Sequence, residues 1–406
     1  MVSLTLRDFR TYERAEVALG PGLTVVSGRN GAGKTNLLEG LYFGCVGRSC
    51  RTSNEREVVR FGAPLTRVEV HTRDAHGDPH VLAVGFEPGA GKKMRVDGVA
   101  VPRLVDAPAR PLVGVFLPDR LELVKGAPAL RRAHLDQVVA ALWPSRAGTR
   151  GEYARALAQR NALLGRIRAG AATRGSLPAW DAELARHGVS LMADRGRAVD
   201  NLAGRFVDRA ADLGLDGAVA LRYRPRSHAT DAEALAAELA ERVDSDLERG
   251  FTGHGPHRDE LVLERDGREL RAYGSQGQQR LALLALLLAE REAVGEARGA
   301  LPLMLLDDVM SELDAGRRRR LVELLRAGGQ SVITTTDLTH VPTAEDADVV
   351  RLAVANGSVL QGALGTVPGP PASASQPDDG AAADSNEPGR RAGGHAPGER
   401  AGSGRA

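Results

Sequence analysis

Lysine is nearly missing from this chain: of 54 basic residues only Lys34, Lys92, Lys93 and Lys125 are lysines. Arginine does the other basic work, so a lysine that survives such a bias is informative. Lys34 is the place where a compact ammonium should serve better than a planar fork. Cysteine is as scarce. Cys45 and Cys50 fit a reducing compartment better than a disulfide framework, and neither stands in a spacing typical of metal ligands. Long apolar runs are lacking too. The most apolar stretch, Leu281 to Ala289, falls well short of the roughly 20 residues that cross a bilayer and reads as a buried helix. Met1 to Arg10 alternates as a strand does, without the basic start and apolar block of a secretion signal. A net charge of +2 leaves no overall basic excess of the kind a DNA-binding domain usually carries, so any nucleic-acid contact must come from local patches.

What is present is enough to build a large core. The 406 residues are 42% hydrophobic and 26% charged, which suggests two or three globular domains. Strand patterns between Val2 and Ser27 lead into a glycine-rich loop, and Thr35 to Phe43 then reads as a helix. Alternating runs at Leu65 to His71, Val81 to Phe86 and Met94 to Val101 predict an antiparallel sheet beside this unit. From Asp119 the spacing turns helical, over Leu121 to Leu142, Glu152 to Arg168, Trp180 to Gly204 and Asp231 to Arg249, with Tyr153, Leu157, Leu164 and Ile167 on one apolar stripe. Strands return after Phe251, where Asp266-Gly267 predicts a two-residue hairpin turn between Leu261–Glu264 and Glu269–Ala272. A helix over Gln276 to Glu292, a strand over Leu303 to Leu306, a helix over Ala315 to Arg326 and a strand over Val332 to Thr335 continue an α/β alternation. The expected organisation is a discontinuous head, residues 1–118 and 251–360, a helical lobe, 119–250, and a tail, 361–406, too poor in apolar residues to fold.

Two motifs carry chemistry. In SGRNGAGKTN, Gly28, Arg29, Asn30, Gly31, Ala32, Gly33, Lys34 and Thr35 form a Walker A loop whose backbone N–H groups wrap phosphate oxygens. Lys34 would reach the β and γ phosphates and Thr35 would ligate magnesium. A glycine turn without nucleotide is the alternative, and it weakens because the second half of the site is present. Leu303 to Leu306 delivers Asp307 and Asp308 to a strand end, as a Walker B strand does. Asp307 is assigned to Mg2+ and Asp308 to polarising the attacking water, so that Lys34, Asp307 and Asp308 form the catalytic set of an ATPase. Before that strand, Ser275, Gln276, Gly277 and Gln278 open a helix whose amino end could meet a phosphate. Ser311-Glu312-Leu313-Asp314 then follows the Walker B pair, where a D-loop with Asp314 would lie.

A serine-led, glutamine-rich signature before Walker B and SELD after it resemble the ABC ATPases, and within them the SMC-like branch. LRDFRTYE, GRNGAGKTNLLE, GRSCRTSNEREVVRFG, LELVKGAP, RRAHLD, QRNALL, GPHRDE, SQGQQR and LLDDVMSELD together resemble the RecF family, over about residues 1 to 360. The resemblance implies a P-loop NTPase of ABC/SMC head type, with an antiparallel β-subdomain and a helical second lobe. It implies a cytoplasmic, nucleoid-associated protein of DNA repair, recombination, replication restart and the SOS response. Such a protein dimerises on ATP, binds double-stranded DNA at junctions with single strands, and assists RecA loading with RecO and RecR. By the same resemblance the signature residues act in trans on the nucleotide of a second head.

There are departures. Asp308 stands where the wider ABC class usually has glutamate, so slow hydrolysis is expected. VITTTD, Val332 to Asp337, lacks a switch histidine and leaves Thr335 or Thr336 nearest its place. Pro118-Asp119-Arg120 does not fit a Q-loop, so no residue is assigned to one. His254 and His257 are read as a polar turn near the ATP site rather than as zinc ligands. Lys92, Lys93, Arg95, Arg131 and Arg132 are candidate phosphate contacts, and Arg317 to Arg320 circles its helix. Two alternatives of other classes remain: an ATP-binding scaffold without significant hydrolysis, and a transporter-type ABC subunit.

Overall fold

The computed structural model describes residues 1–361 except 75, 108 and 109. The expectation of an unfolded tail over 361–406 falls almost wholly outside the described residues. In chain order, β1 (Ser3–Phe9), β2 (Tyr12–Ala18) and β3 (Leu23–Ser27) lead through the glycine-rich loop into α1 (Lys34–Val46). Strands β4 (Thr66–Arg73), β5 (Pro79–Glu87), β6 (Gly91–Val96) and β7 (Val99–Val101) follow, and then β8 (Val113–Phe116). Helices α2 (Glu122–Lys125), α3 (Pro128–Leu142), α4 (Thr149–Arg168) and the 36-residue α5 (Leu177–Asp212) come next. After them stand β9 (Val219–Arg224), α6 (Ala232–Glu241) and α7 (Val243–Arg249). The chain continues with β10 (Glu260–Arg265), β11 (Arg268–Glu269), α8 (Leu270–Tyr273), α9 (Gln276–Arg298), β12 (Leu303–Leu306), α10 (Ala315–Arg326), β13 (Ser331–Thr335), β14 (Val350–Ala355) and β15 (Ser358–Gln361).

The central sheet has the order β15-β14-β3-β13-β12-β8, with β3, β13, β12, β8 and β14 parallel and β15 antiparallel at the edge. Its strands are apolar on both faces because both faces are covered. Val26, Leu303, Leu305 and Val332 join the core that holds α1 and the antiparallel sheet β2-β1-β4-β5-β6-β7. Their strand neighbours Val25, Met304, Leu306 and Ile333 point the other way, into a second core with α3, α5 and α9. This two-residue parity places the catalytic candidates below. The second core joins Leu135 and Phe206 of the helical segment to Leu284 and Leu306 of the ATPase segment, so the packing does not stop at residue 119 or 250. Leu281 to Ala289, the apolar run in α9, is buried at every position, which stabilises by about 2 kcal/mol per leucine.

Several expected elements are divided or displaced. Leu121 to Leu142 is broken at Gly126-Ala127, because Pro128 suits the first position of α3 but disfavours a helical residue before it. Asp231 to Arg249 is broken at Arg242 between α6 and α7. β8 was not foreseen. Nor was β9, which lies in the stretch expected to be helical and pairs antiparallel with β10. Asp266 and Gly267 have φ of 51° and 72°, the positive pair that a two-residue turn requires. The second hairpin strand is nonetheless only two residues long, and Leu270 to Tyr273 is helical.

Candidate functional site

The phosphate loop needs its glycines for different reasons. A Cβ on Gly28 would stand 2.4 Å from the Val354 carbonyl oxygen, so only glycine fits. Gly33 caps α1 with φ 116°, a conformation that side chains resist. Tyr12 donates to the Gly33 carbonyl at 2.9 Å and ties the loop to the antiparallel sheet. Lys34 curls back over the loop, donating to the carbonyls of Gly28 at 2.7 Å and Arg29 at 3.1 Å. Burial lowers the pKa of its ammonium, and the nearby Asp308 and Asp307 carboxylates oppose that shift.

Two of the predicted carboxylate residues meet the loop from β12. Thr35 Oγ1 donates to Asp307 Oδ2 at 2.8 Å, and Thr334 Oγ1 donates to Asp307 Oδ1 at 2.6 Å. Both of its oxygens are thus held. Sheet parity explains the meeting, since Leu303, Leu305 and Asp307 alternate onto the face that α1 covers, as Val332 and Thr334 do. Asp308 then leaves extended geometry, with φ 46°, and its backbone N–H donates to Thr334 Oγ1 at 2.9 Å. Ser311 Oγ donates to Asp308 Oδ2 at 3.1 Å. Asp308 Oδ1 is buried without a hydrogen-bond partner. A non-glycine residue in the left-handed region with an unsatisfied carboxylate oxygen is a combination that functional sites hold and cores avoid.

Thr334, which holds Asp307, was not named from the sequence; Thr335 and Thr336 were named for another place, that of a switch histidine. Thr335 Oγ1 donates to the Asp337 carbonyl at 2.8 Å, and Thr336 is exposed. Counting by two from Val332 would have found Thr334.

Ser275 caps α9, its hydroxyl accepting from Gln278 N at 3.3 Å while Gln278 Oε1 accepts from Ser275 N at 2.9 Å. Ser275, Gln276 and Gly277 are exposed at the start of this 23-residue helix. Gln279 is buried and donates to the Leu270 carbonyl, and Arg280 forms an ion pair with Glu312, joining the signature helix to the segment after Asp308. Asp314 caps α10 by accepting from Arg317 N at 2.9 Å; that bond lowers the pKa of its exposed carboxyl.

Other candidates have partners that assign them to the fold. His254 pairs with Glu238, and His257 bonds Tyr153 at 2.7 Å and the Thr252 carbonyl at 2.9 Å, so their partners belong to the helical segment and its end rather than to the phosphate loop. Among the described residues no group of three or more His, Cys, Asp or Glu could hold a metal ion. Arg131 is buried in a two-pronged pair with Glu260, Arg132 donates to the Asp259 carbonyl, and Lys92 pairs with Glu55. Arg317 and Arg318 donate to the carbonyls of Gly214 and Met310, and Arg320 pairs with Asp212 and Glu323. Lys93 and Arg95 are exposed.

A phosphate loop before α1, a carboxylate pair at the end of β12 and a capped signature helix on one parallel sheet define a P-loop ATPase head of the ABC and SMC type. In fold the chain resembles the Smc head domain of Pyrococcus furiosus, at 17% identity and a TM-score of 0.54, over 88% of this chain and 95% of that one. A family model described as an AAA domain matches residues 3–97. The DNA replication and repair protein RecF of Anaeromyxobacter sp. strain Fw109-5 is 40% identical over 374 residues, 88% of this chain and 98% of the relative. That of Myxococcus xanthus is also 40% identical, over 88% and 96%. The solved structure of the recombination mediator RecF with ATP, from the RecFOR pathway, matches at 27% identity and a TM-score of 0.79, over 89% of this chain and 97% of that one. This chain belongs to the RecF family of DNA replication and repair proteins. The membership replaces the transporter alternative, and no described helix is long and apolar enough to cross a membrane.

Proposed function

We propose that this protein binds ATP on the loop Gly28 to Thr35, dimerises on it through Ser275 to Gln278 of a second copy, and clamps double-stranded DNA next to single-stranded gaps. Hydrolysis is slow and releases the clamp. The observation that carries the reading is the chain Thr35–Asp307–Thr334 beside Asp308 Oδ1, a buried acceptor with no partner. In this reading Lys34 exchanges its two loop carbonyls for phosphate oxygens. Asp308 orients the attacking water and takes its proton as the bond to the γ-phosphorus forms and ADP leaves. Thr35 Oγ1 and Asp307 Oδ2 are hard oxygens suited to Mg2+ and would hold it in place of their mutual hydrogen bond; the ion would supply charge neutralisation for the phosphates. Asp314 of the D-loop would face the partner head, and residues 119–250 would form a helical lobe packed on the head of 1–118 and 251–360.

Support for duplex binding comes from the outer face of the antiparallel sheet. Arg14, Arg7, Arg67, Gly85 and Lys93 lie directly opposite one another on successive strands. All four cations are exposed. Arg67 pairs with Glu69, which offsets part of the repulsion between the aligned cations, and a phosphate backbone would offset the rest. The family implies RecO and RecR as partners and a place in the SOS response. Light scattering with ADP, with ATP, and with ATP plus gapped DNA tests the core of the reading. A dimer with ATP that Lys34→Met and Ser275→Arg both abolish supports it; a monomer in every condition sinks it. Phosphate release indistinguishable from buffer would favour the scaffold alternative.

A further inference from the structure

Most arginines of the helical segment are paired, yet one cavity there gathers arginines that are not. A cavity of 420 Å³ is lined by Arg226, Arg249, Phe251, Gly253 and Arg258. It lies where the end of α7 and the loop to β10 meet the chain after β9, and none of its lining residues is one assigned to the nucleotide. All three arginines are exposed, and Phe251 keeps 41% of its surface in solvent. The Arg258 guanidinium lies 5.4 Å from the centre of the Phe251 ring. Gly253 leaves the floor open, for a Cβ there would stand 2.9 Å from Arg249 Nη1.

The acids nearby are committed elsewhere. Asp246 accepts from Arg160 and from Gly253 N, and Asp259 accepts from Tyr223, Arg195 and Arg226 N. No carboxylate lines the cavity. Three arginines therefore line a space of nucleotide size, with no carboxylate among its described lining residues, beside an aromatic ring outside the described hydrophobic clusters. Planar forks suit phosphate oxygens, and an aromatic ring with a stacked guanidinium suits a base.

We propose that this cavity binds an unpaired nucleotide of a DNA strand, its phosphate held by Arg226 and Arg249 and its base stacked on the Phe251–Arg258 pair. The inference rests on the DNA-binding reading and names the part of a gapped substrate that the helical segment would recognise. A duplex would lie on the sheet face and its single-stranded extension would enter the cavity, so junction preference and duplex affinity are separable.

The test uses the full chain with ATP and fluorescence anisotropy on two labelled DNAs of equal duplex length, one blunt and one with a single-stranded thymidine tail. Wild type is expected to prefer the tailed DNA. Phe251→Ala should lower affinity for the tailed DNA about tenfold, and Phe251→Trp should keep it. Replacing Arg226, Arg249 and Arg258 with alanine should reduce the salt slope on tailed DNA by about 1. Blunt-duplex affinity should not change in either variant. Wild-type preference retained in both variants would overturn the cavity proposal alone. Absence of any DNA binding by the wild type would overturn the DNA reading with it. Displacement of the tailed DNA by a hexaglutamate peptide at equal concentration would assign the cavity to an acidic protein segment and overturn the nucleotide.

Discussion

Two buried cations in this molecule are treated in opposite ways. Arg160, in the middle of α4, has no exposed surface and is held by Asp181 at 2.6 Å, Asp246 at 2.7 Å and Thr252 at 2.8 Å. Lys34, nearly as buried, is held only by two carbonyls of its own loop, although Asp307 and Asp308 are close enough to act on its charge. Arg160 thus has two carboxylates and a hydroxyl fixed by three separate elements, with the Leu239 carbonyl as a further acceptor. Around Lys34 the bonds are local and exchangeable, and one carboxylate oxygen stays unpartnered. A charge saturated by the protein belongs to the fold, whereas one with replaceable partners is available to a ligand.

The contrast can be broken most directly by removing each cation. Arg160→Ala leaves two carboxylates buried without their counter-ion and should cost about 3–5 kcal/mol in denaturant unfolding. Lys34→Met should change stability by about 1 kcal/mol or less but abolish the rise in melting temperature on adding ATP. Equal losses of stability in the two variants would erase the distinction.

A second measurement sharpens the structural side. His257 beside Tyr153 has its pKa pushed down to about 4, first by burial, with Arg258 and Arg132 adding repulsion. The imidazole is neutral when folded and takes up a proton on unfolding below its ordinary pKa of about 6.5. Stability is therefore full above about pH 6.5 and falls as pH drops toward 4, by up to about 3 kcal/mol. In His257→Asn this part of the acid sensitivity should vanish; an unchanged pH profile would remove His257 from the committed set.

On the ligand side, Asp308→Asn keeps the shape and tolerates the left-handed backbone but cannot accept a proton. Phosphate release should fall about 100-fold while ATP still raises the melting temperature. Hydrolysis at the wild-type rate would mean that the unpartnered oxygen has another use. The smallest effect is expected at Ser275→Ala. Losing the cap of α9 should cost about 1 kcal/mol, and ATP-dependent dimerisation should weaken beyond what that loss explains. If dimerisation were unaffected, Ser275 would be a helix cap and no more.

Much of the ligand side was legible along the chain because its parts are local. A phosphate loop is one turn between a strand and a helix, and Gly28 to Thr35 carries its spacing in eight consecutive residues. Asp307 and Asp308 follow four apolar residues that read as a short buried strand. The strand β13 was legible too, but Thr334, which holds Asp307, was not named from it. Which face of a strand meets a site is settled by the sheet around it.

The committed side was almost invisible. Arg160 sits within the stripe of Tyr153, Leu157, Leu164 and Ile167, and nothing in that pattern announces a buried guanidinium. Its partners Asp181 and Asp246 lie 21 and 86 residues away. For the same reason β9, between the expected helices Trp180 to Gly204 and Asp231 to Arg249, was not foreseen, since its strand character depends on β10, more than 30 residues later. The sequence alone determined the phosphate loop, the carboxylate pair, the signature helix and the family, because each rests on short-range spacing that backbone geometry translates directly. Only the tertiary structure decided which charges were neutralised by the protein and which were left open. An ion pair is made by whatever the fold brings within about 3 Å, and sequence distance carries no record of that.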